Sequence, residues 1–121
     1  MTYSVNKLPA LWQAQKLIAV ANGLGLIQYE GGNGNHAEFS PALATEERAR
    51  FMEFYKRCNH TPEDAANYTA MFNSFIELGG KYPSKFVEAR PVVYYGAWGG
   101  LRYLGDSNPV WDAVVKFNRH V

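Results

Sequence analysis

The residues best placed to do chemistry sit in Gly25-Leu-Ile-Gln-Tyr-Glu-Gly-Gly32. A short apolar run ends in one carboxylate, and two glycines follow at once. Such a pattern puts Glu30 at the mouth of a strand, where backbone turns sharply and a ligand can approach. A carboxylate there could act as nucleophile or electrostatic stabiliser for an oxocarbenium-like transition state. It could equally be a plain loop carboxylate. Val92-Val-Tyr-Tyr-Gly-Ala-Trp-Gly-Gly100 repeats the design with Trp98 in place of the acid. An indole at that position could stack on a pyranose face or fill a core. On a strand, Gln28 and Glu30 share one face with Leu26, and Tyr29 takes the other with Ile27. His36, in the polar loop Gly31 to Ser40, could bond a substrate hydroxyl or adjust Glu30.

Other groups read as structural. No two histidines lie at metal-ligand spacing, so no metal site is expected. Gly31-Gly32-Asn33-Gly34 lacks the Lys-Ser/Thr of a phosphate loop, and no cofactor motif is present. Cys58 is the single cysteine and reads as a core thiol. His60 and His120 read as helix-end residues. Asn67-Tyr68-Thr69 fits a glycosylation acceptor, but it falls inside a predicted helix.

The elements that must position these groups follow from local signals. Leu8 to Asn22 reads as a helix, with Pro9 in its first turn, Gly23 as its stop, and Leu11, Trp12, Leu17 and Ile18 as its apolar side. Leu24 to Tyr29 reads as a buried strand. Thr45 to Cys58 is a second helix, with Glu46 and Glu47 at its start and Lys56 and Arg57 at its end. Its apolar residues are Phe51, Met52, Tyr55 and Cys58. Thr61-Pro62-Glu63-Asp64 opens a third helix. That helix runs to about Leu78, stops at Gly79-Gly80, and places Ala65, Phe72, Phe75 and Ile76 near one face. Pro83 opens a connecting stretch, and Val92 to Trp98 reads as a second strand. Asn108-Pro109 caps a last helix with Trp111, Val114 and Val115 inward.

The order helix, strand, helix, helix, strand, helix implies an α/β unit with two parallel strands. Residues 1–121 read as one such unit, without repeat or linker. Two strands are too few for a sheet covered on both faces, so self-association or a further segment is expected to complete it.

Composition narrows the class. The chain has 121 residues, 47% of them apolar and 15% aromatic, with a net charge of +1. That is enough for one core, and it leaves no cationic footprint for nucleic acid or an anionic membrane. No apolar run approaches the ~20 residues that cross a bilayer, and no signal peptide is visible. The compartment is unspecified; secretion or association with a virion is compatible with the sequence.

Tyr29-Glu30-Gly31-Gly32 with a nearby histidine, followed by helices and then Tyr95-Gly96-Ala97-Trp98-Gly99-Gly100-Leu101, resembles the C-terminal part of (β/α)8-barrel glycoside hydrolase-like proteins. The similarity runs from about Leu8 to the end. It implies a partial barrel in which Glu30 takes the nucleophile position of a retaining enzyme at the seventh strand. Trp98 would form the sugar platform at the eighth, with His36, Tyr29 and Gln28 as substrate-binding residues. The last helix would close the barrel. A full barrel needs about 250 residues. Retaining hydrolysis needs a second carboxyl about 5 Å from the first, and in such enzymes it follows the fourth strand, which has no counterpart here. Glu38 lies on the same loop as Glu30. The expected partners are a carbohydrate and either further copies of the chain or the remainder of a longer one. The resemblance implies hydrolysis of a glycosidic bond, provided a partner acid is supplied. A non-catalytic carbohydrate-binding or structural module is the alternative, and an unrelated small α/β domain is the third reading.

Overall fold

Among the described residues, local signals place four helices, α1 (Leu8–Ala21), α2 (Thr45–Cys58), α3 (Pro62–Glu77) and α4 (Pro109–Asn118). The computed structural model describes residues 5–32, 43–91 and 98–119. Proline stands in the first turn of α1, α3 and α4, where its missing N–H costs nothing. Thr61 Oγ1 accepts from the Asp64 N–H at 3.2 Å, and Asn108 Oδ1 accepts from the Trp111 N–H at 3.0 Å. Both are side-chain caps of the kind the sequence predicts. At α2 the cap runs the other way: Glu47 reaches back to accept from the Ala44 N–H at 2.9 Å. Both α1 and α3 close in Schellman turns, with Leu24 N–H on Ala19 C=O and Gly80 N–H on Phe75 C=O. Gly23 and Gly79 take the positive φ that this turn demands.

The core lies between α3 and α4, with α1 against α3. Ala65, Tyr68, Met71 and Phe72 of α3 meet Val110 and Val114 of α4, and Leu8, Trp12, Trp111 and Phe117 pack around them. Phe72 and Phe117 stack with ring centroids 5.0 Å apart. The inner face of α3 holds the expected Ala65, Phe72 and Phe75 together with Tyr68 and Met71, while Ile76 is half-buried at its edge. The face of α1 differs more. Leu8 and Trp12 pack inward, whereas Leu11, Leu17 and Ile18 are exposed. On α2 Met52 is buried, while Phe51 and Phe54 face solvent.

The α/β expectation is overturned. Among the described residues the chain is a small all-helical protein with no strand, not a partial (β/α)8 barrel. The run Leu24 to Tyr29 forms only an isolated parallel bridge at Ile27, to Lys81. A short apolar run specifies a strand only when other segments cover both its faces. Here Leu24, Ile27 and Tyr29 are all exposed. Val92 to Ala97, most of the second expected strand, lies outside the described residues. The two motif segments are not strand neighbours either. Segment 81–90, read from sequence as a connection, runs between them. It bridges to Ile27 through Lys81 and to Leu101 through Ala89, both in the parallel sense.

Gly80 is where this segment leaves α3. A Cβ there would stand 2.5 Å from Cε1 of Phe75, closer than packed carbons tolerate. Gly80→Ala is expected to cost about 1–3 kcal/mol through displacement of the Phe75 ring, read as a lower midpoint in thermal unfolding. An unchanged midpoint would mean the ring has room to move.

Candidate functional site

Three extended segments converge on the N-terminal half of α3. The first carries Glu30. Ser84 ties it down, its N–H donating to Gln28 Oε1 at 2.9 Å and its hydroxyl to Gln28 C=O at 3.1 Å. Gly31 C=O accepts from the Phe86 N–H at 2.8 Å. The third segment carries Trp98. Its carbonyl accepts from Val87 N–H, and Val87 C=O in turn accepts from Gly100 N–H. The Trp98 ring meets Phe86 edge-on with centroids 6.3 Å apart, and the Arg90 guanidinium lies 5.1 Å over it. Phe86 thus links the Glu30 loop to Trp98.

The sequence-predicted residues within the described segments each have a definite place. Glu30 is exposed on a bend. Trp98 is half-buried, one face covered by Arg90. Gln28 is half-buried, with its amide oxygen committed to Ser84. Tyr29 is 88% exposed, and Tyr82, on the neighbouring segment, is 76% exposed. His36 and Glu38 lie outside the described residues. Cys58 is a half-buried free thiol. Tyr68 of the glycosylation-like triplet is buried in the core. Among the described residues no group of three His, Cys, Asp or Glu side chains could hold a metal ion.

Beneath the segments lies a cluster that sequence reading missed. Asp64, in the first turn of α3, is 2% exposed. Its Oδ2 accepts from the His60 N–H at 3.2 Å, while Oδ1 is buried without a hydrogen-bond partner among the described residues. Desolvation pushes the Asp64 carboxyl up, against the His60 N–H and the charges of His60 and Lys85. Lys85 Nζ donates to Trp98 C=O at 2.5 Å and lies 5.0 Å over the Tyr68 ring. Burial lowers its pKa to about 8, and Asp64 pulls the other way. Gly32 rests on the same tyrosine. A Cβ there would come within 2.7 Å of the Tyr68 hydroxyl, and its φ of +120° suits only glycine.

His60 lies at a helix end, between α2 and α3, and it also makes a long-range bond that the sequence does not signal. Its Nε2 lies 2.7 Å from Gly99 C=O. A carbonyl only accepts, so Nε2 carries the proton in this bond. With φ +67°, His60 holds a backbone conformation uncommon outside glycine, and its two hydrogen bonds fix it there. The cluster ties the Trp98–Gly100 turn to α3. No local pattern announces it. Asp64 was legible as a helix-start acid, but its burial depends on segments distant in sequence.

An open groove of about 620 Å³ lies beyond His60, between the end of α2 and the start of α4, with Lys56, Arg102, Tyr103 and Asn108 on its walls. Arg102 donates from Nε and Nη2 to the two carboxylate oxygens of Asp106, at 2.8 and 2.5 Å. Those bonds hold the Asp106 carboxyl well below the usual carboxylate range. Glu30, Tyr29, Gln28 and Trp98 do not line this groove. No protein-family model matches the chain, and comparison with curated proteins and with solved structures finds no match.

Proposed function

We propose that the chain is a carbohydrate-active, glycoside hydrolase-like protein in which Glu30 supplies a carboxylate beside an aromatic sugar-binding surface. The observation that carries this reading is the exposure of Tyr29 and Tyr82 on the two hydrogen-bonded segments that flank Glu30. Large exposed rings are costly to leave in water, and a sugar's apolar face covers them well. Glu30, on its bend, is open to a ligand held there. Phe86 and Trp98 form a second aromatic pair, on the segments that follow Tyr82. If a partner acid is supplied, Glu30 serves as nucleophile in glycosidic bond cleavage.

Binding without turnover is the second reading, and the burial of Asp64 favours it. A general acid needs a raised pKa and access to the leaving group. Asp64 has the first property, but it is 2% exposed and bonded to His60.

Glu30→Gln and Tyr29→Ala, each tested against a panel of aryl glycosides and by calorimetric titration with oligosaccharides, separate the readings. Hydrolysis predicts turnover in the parent protein and a loss of at least about 100-fold in Glu30→Gln. Binding alone predicts no turnover in either protein, with affinity about tenfold weaker in Tyr29→Ala, the scale of one aromatic contact. Absence of both turnover and binding across the panel sinks the carbohydrate reading.

A further inference from the structure

The outer face of α1 is apolar along its whole length. Ala10, Leu11, Ala14, Leu17, Ile18 and Ala21 recur at helical spacing on one stripe, and all six are exposed. None of the residues of this helix is buried. A surface helix ordinarily turns charge outward, opposite its buried stripe. Here the outward stripe carries no charge. Lys16, the one charged residue of α1, lies off the stripe with its Nζ beside Gly79. Leu24 and Ile27, just past the helix, prolong the exposed apolar surface.

We propose that this face is the interface of a homodimer, with a second copy of α1 packed antiparallel across it. The proposal is independent of the sugar reading. The area fits. Leu11, Leu17, Ile18, Leu24 and Ile27 are 62–66% exposed. At roughly 100 Å² of apolar surface each, they leave about 500 Å² in water. That lies in the upper part of the ~300–600 Å² range for a monomer's largest patch. With the three alanines it reaches the ~600 Å² per partner at the lower end of specific interfaces.

The pattern is also self-complementary, as a two-fold interface requires. An axis near Ala14 sets Leu11 of one copy against Leu17 and Ile18 of the other, while the alanines let the backbones approach. No charge is left unpaired in the seam. A bilayer surface is the poorer occupant, because interfacial helices carry a strongly cationic polar face, and α1 has a single lysine.

Sedimentation equilibrium of the full chain at about 50 µM, a concentration that populates dimers of micromolar affinity, is expected to give twice the 13.6 kDa chain mass. Ile18→Lys should raise the dissociation constant by at least ~100-fold, since it places a charge in a desolvated seam. Its helical circular dichroism should stay unchanged, because Ile18 is exposed in the single chain. In a Cys58→Ser background, oxidised Ala14→Cys should cross-link between copies, whereas Gln15→Cys, off the stripe, should not. A monomer at that concentration overturns the proposal. So does a dimer that survives Ile18→Lys and gives no Ala14→Cys cross-link. Co-sedimentation of the parent protein with phosphatidylcholine vesicles, lost in Ile18→Lys, would assign the face to a membrane and overturn it too.

Discussion

Phe75→Ala is expected to lower the unfolding free energy by about 4 kcal/mol, the usual cost of emptying a buried aromatic site. The site has little means of collapsing. Phe75 is 2% exposed. On one side its ring meets Trp12 of α1 edge-on, with centroids 5.1 Å apart. On another it rests against Gly80, whose lack of a side chain makes room for it. The ring therefore joins α1, α3 and the segment that carries Ser84 and Lys85 toward the Glu30 loop. Its loss loosens the core and the candidate site together. For a domain of this size a total stability of ~5–15 kcal/mol is ordinary, so the variant is expected to stay folded with a much lower unfolding midpoint. Urea titration followed by circular dichroism measures the effect. A loss under about 1 kcal/mol would show that neighbouring side chains move in to fill the gap.

Lys85→Met carries the second large effect, and its dependence on pH is the sharper test. At pH 7 the substitution removes the charge-assisted bond to Trp98 C=O and the cation that faces Asp64. Met also relieves the desolvation that lowers the lysine's pKa, so the net cost at pH 7 is expected to stay under about 1 kcal/mol. The gap between parent and variant should then widen with rising pH in two windows.

In the folded parent, Lys85 titrates at about 8 against 10.5 when unfolded. Between those values the unfolded chain holds a proton that the native chain has released, so the parent gains stability as pH rises. Lys85→Met has no such gain, and the gap should grow by about 2 kcal/mol across that window, a figure reduced for the lysine's partial exposure.

The lower window belongs to Asp64, whose folded pKa lies above the ordinary 3.8. An acid raised in this way loses stability as pH climbs through its folded value. Without Lys85 its pKa rises further, and the variant loses more than the parent does. Chemical denaturation of both proteins from about pH 3.5 to about pH 10.5 reads the two windows. A gap that stays flat over the whole range would mean that Lys85 is neither desolvated nor coupled to Asp64.

The legible part of the molecule is the part governed by neighbours in the chain. Pro9, Thr61-Pro62, Asn108-Pro109, Gly23 and Gly79-Gly80 marked where helices begin or end, and both ends of α1 and α3 and the start of α4 fall within two residues of those marks. Caps and Schellman turns close hydrogen bonds over three to five residues, so the pattern and the structure report the same local physics. The inner faces were legible in part. Ala65, Phe72, Phe75 and Val114 are buried as expected, whereas Leu11, Leu17 and Ile18 are not. Periodicity shows that a helix has an apolar stripe. It does not show which stripe when, as on α1, apolar residues surround the axis.

Glu30, Tyr29 and Trp98 could be singled out by type, but their setting could not. The apolar run before Glu30 looked like a strand, and only its packing decides that, since a strand's hydrogen bonds and cover come from elsewhere in the chain. Segment 81–90, with nothing but Pro83 to mark it, turned out to lie between the two motifs. The Asp64–Lys85 pairing joins residues with no sequence relation, and His60 gained its role from a carbonyl far along the chain.

The helices α1 to α4 and their ends were thus set by the amino-acid order alone, through interactions that span a single turn. The absence of a sheet among the described residues, the burial of Asp64, the bond from Lys85 to the Trp98 carbonyl, and the bare face of α1 were decided by the tertiary structure. Each depends on which distant groups remove a residue from water, and a linear pattern does not encode that exchange.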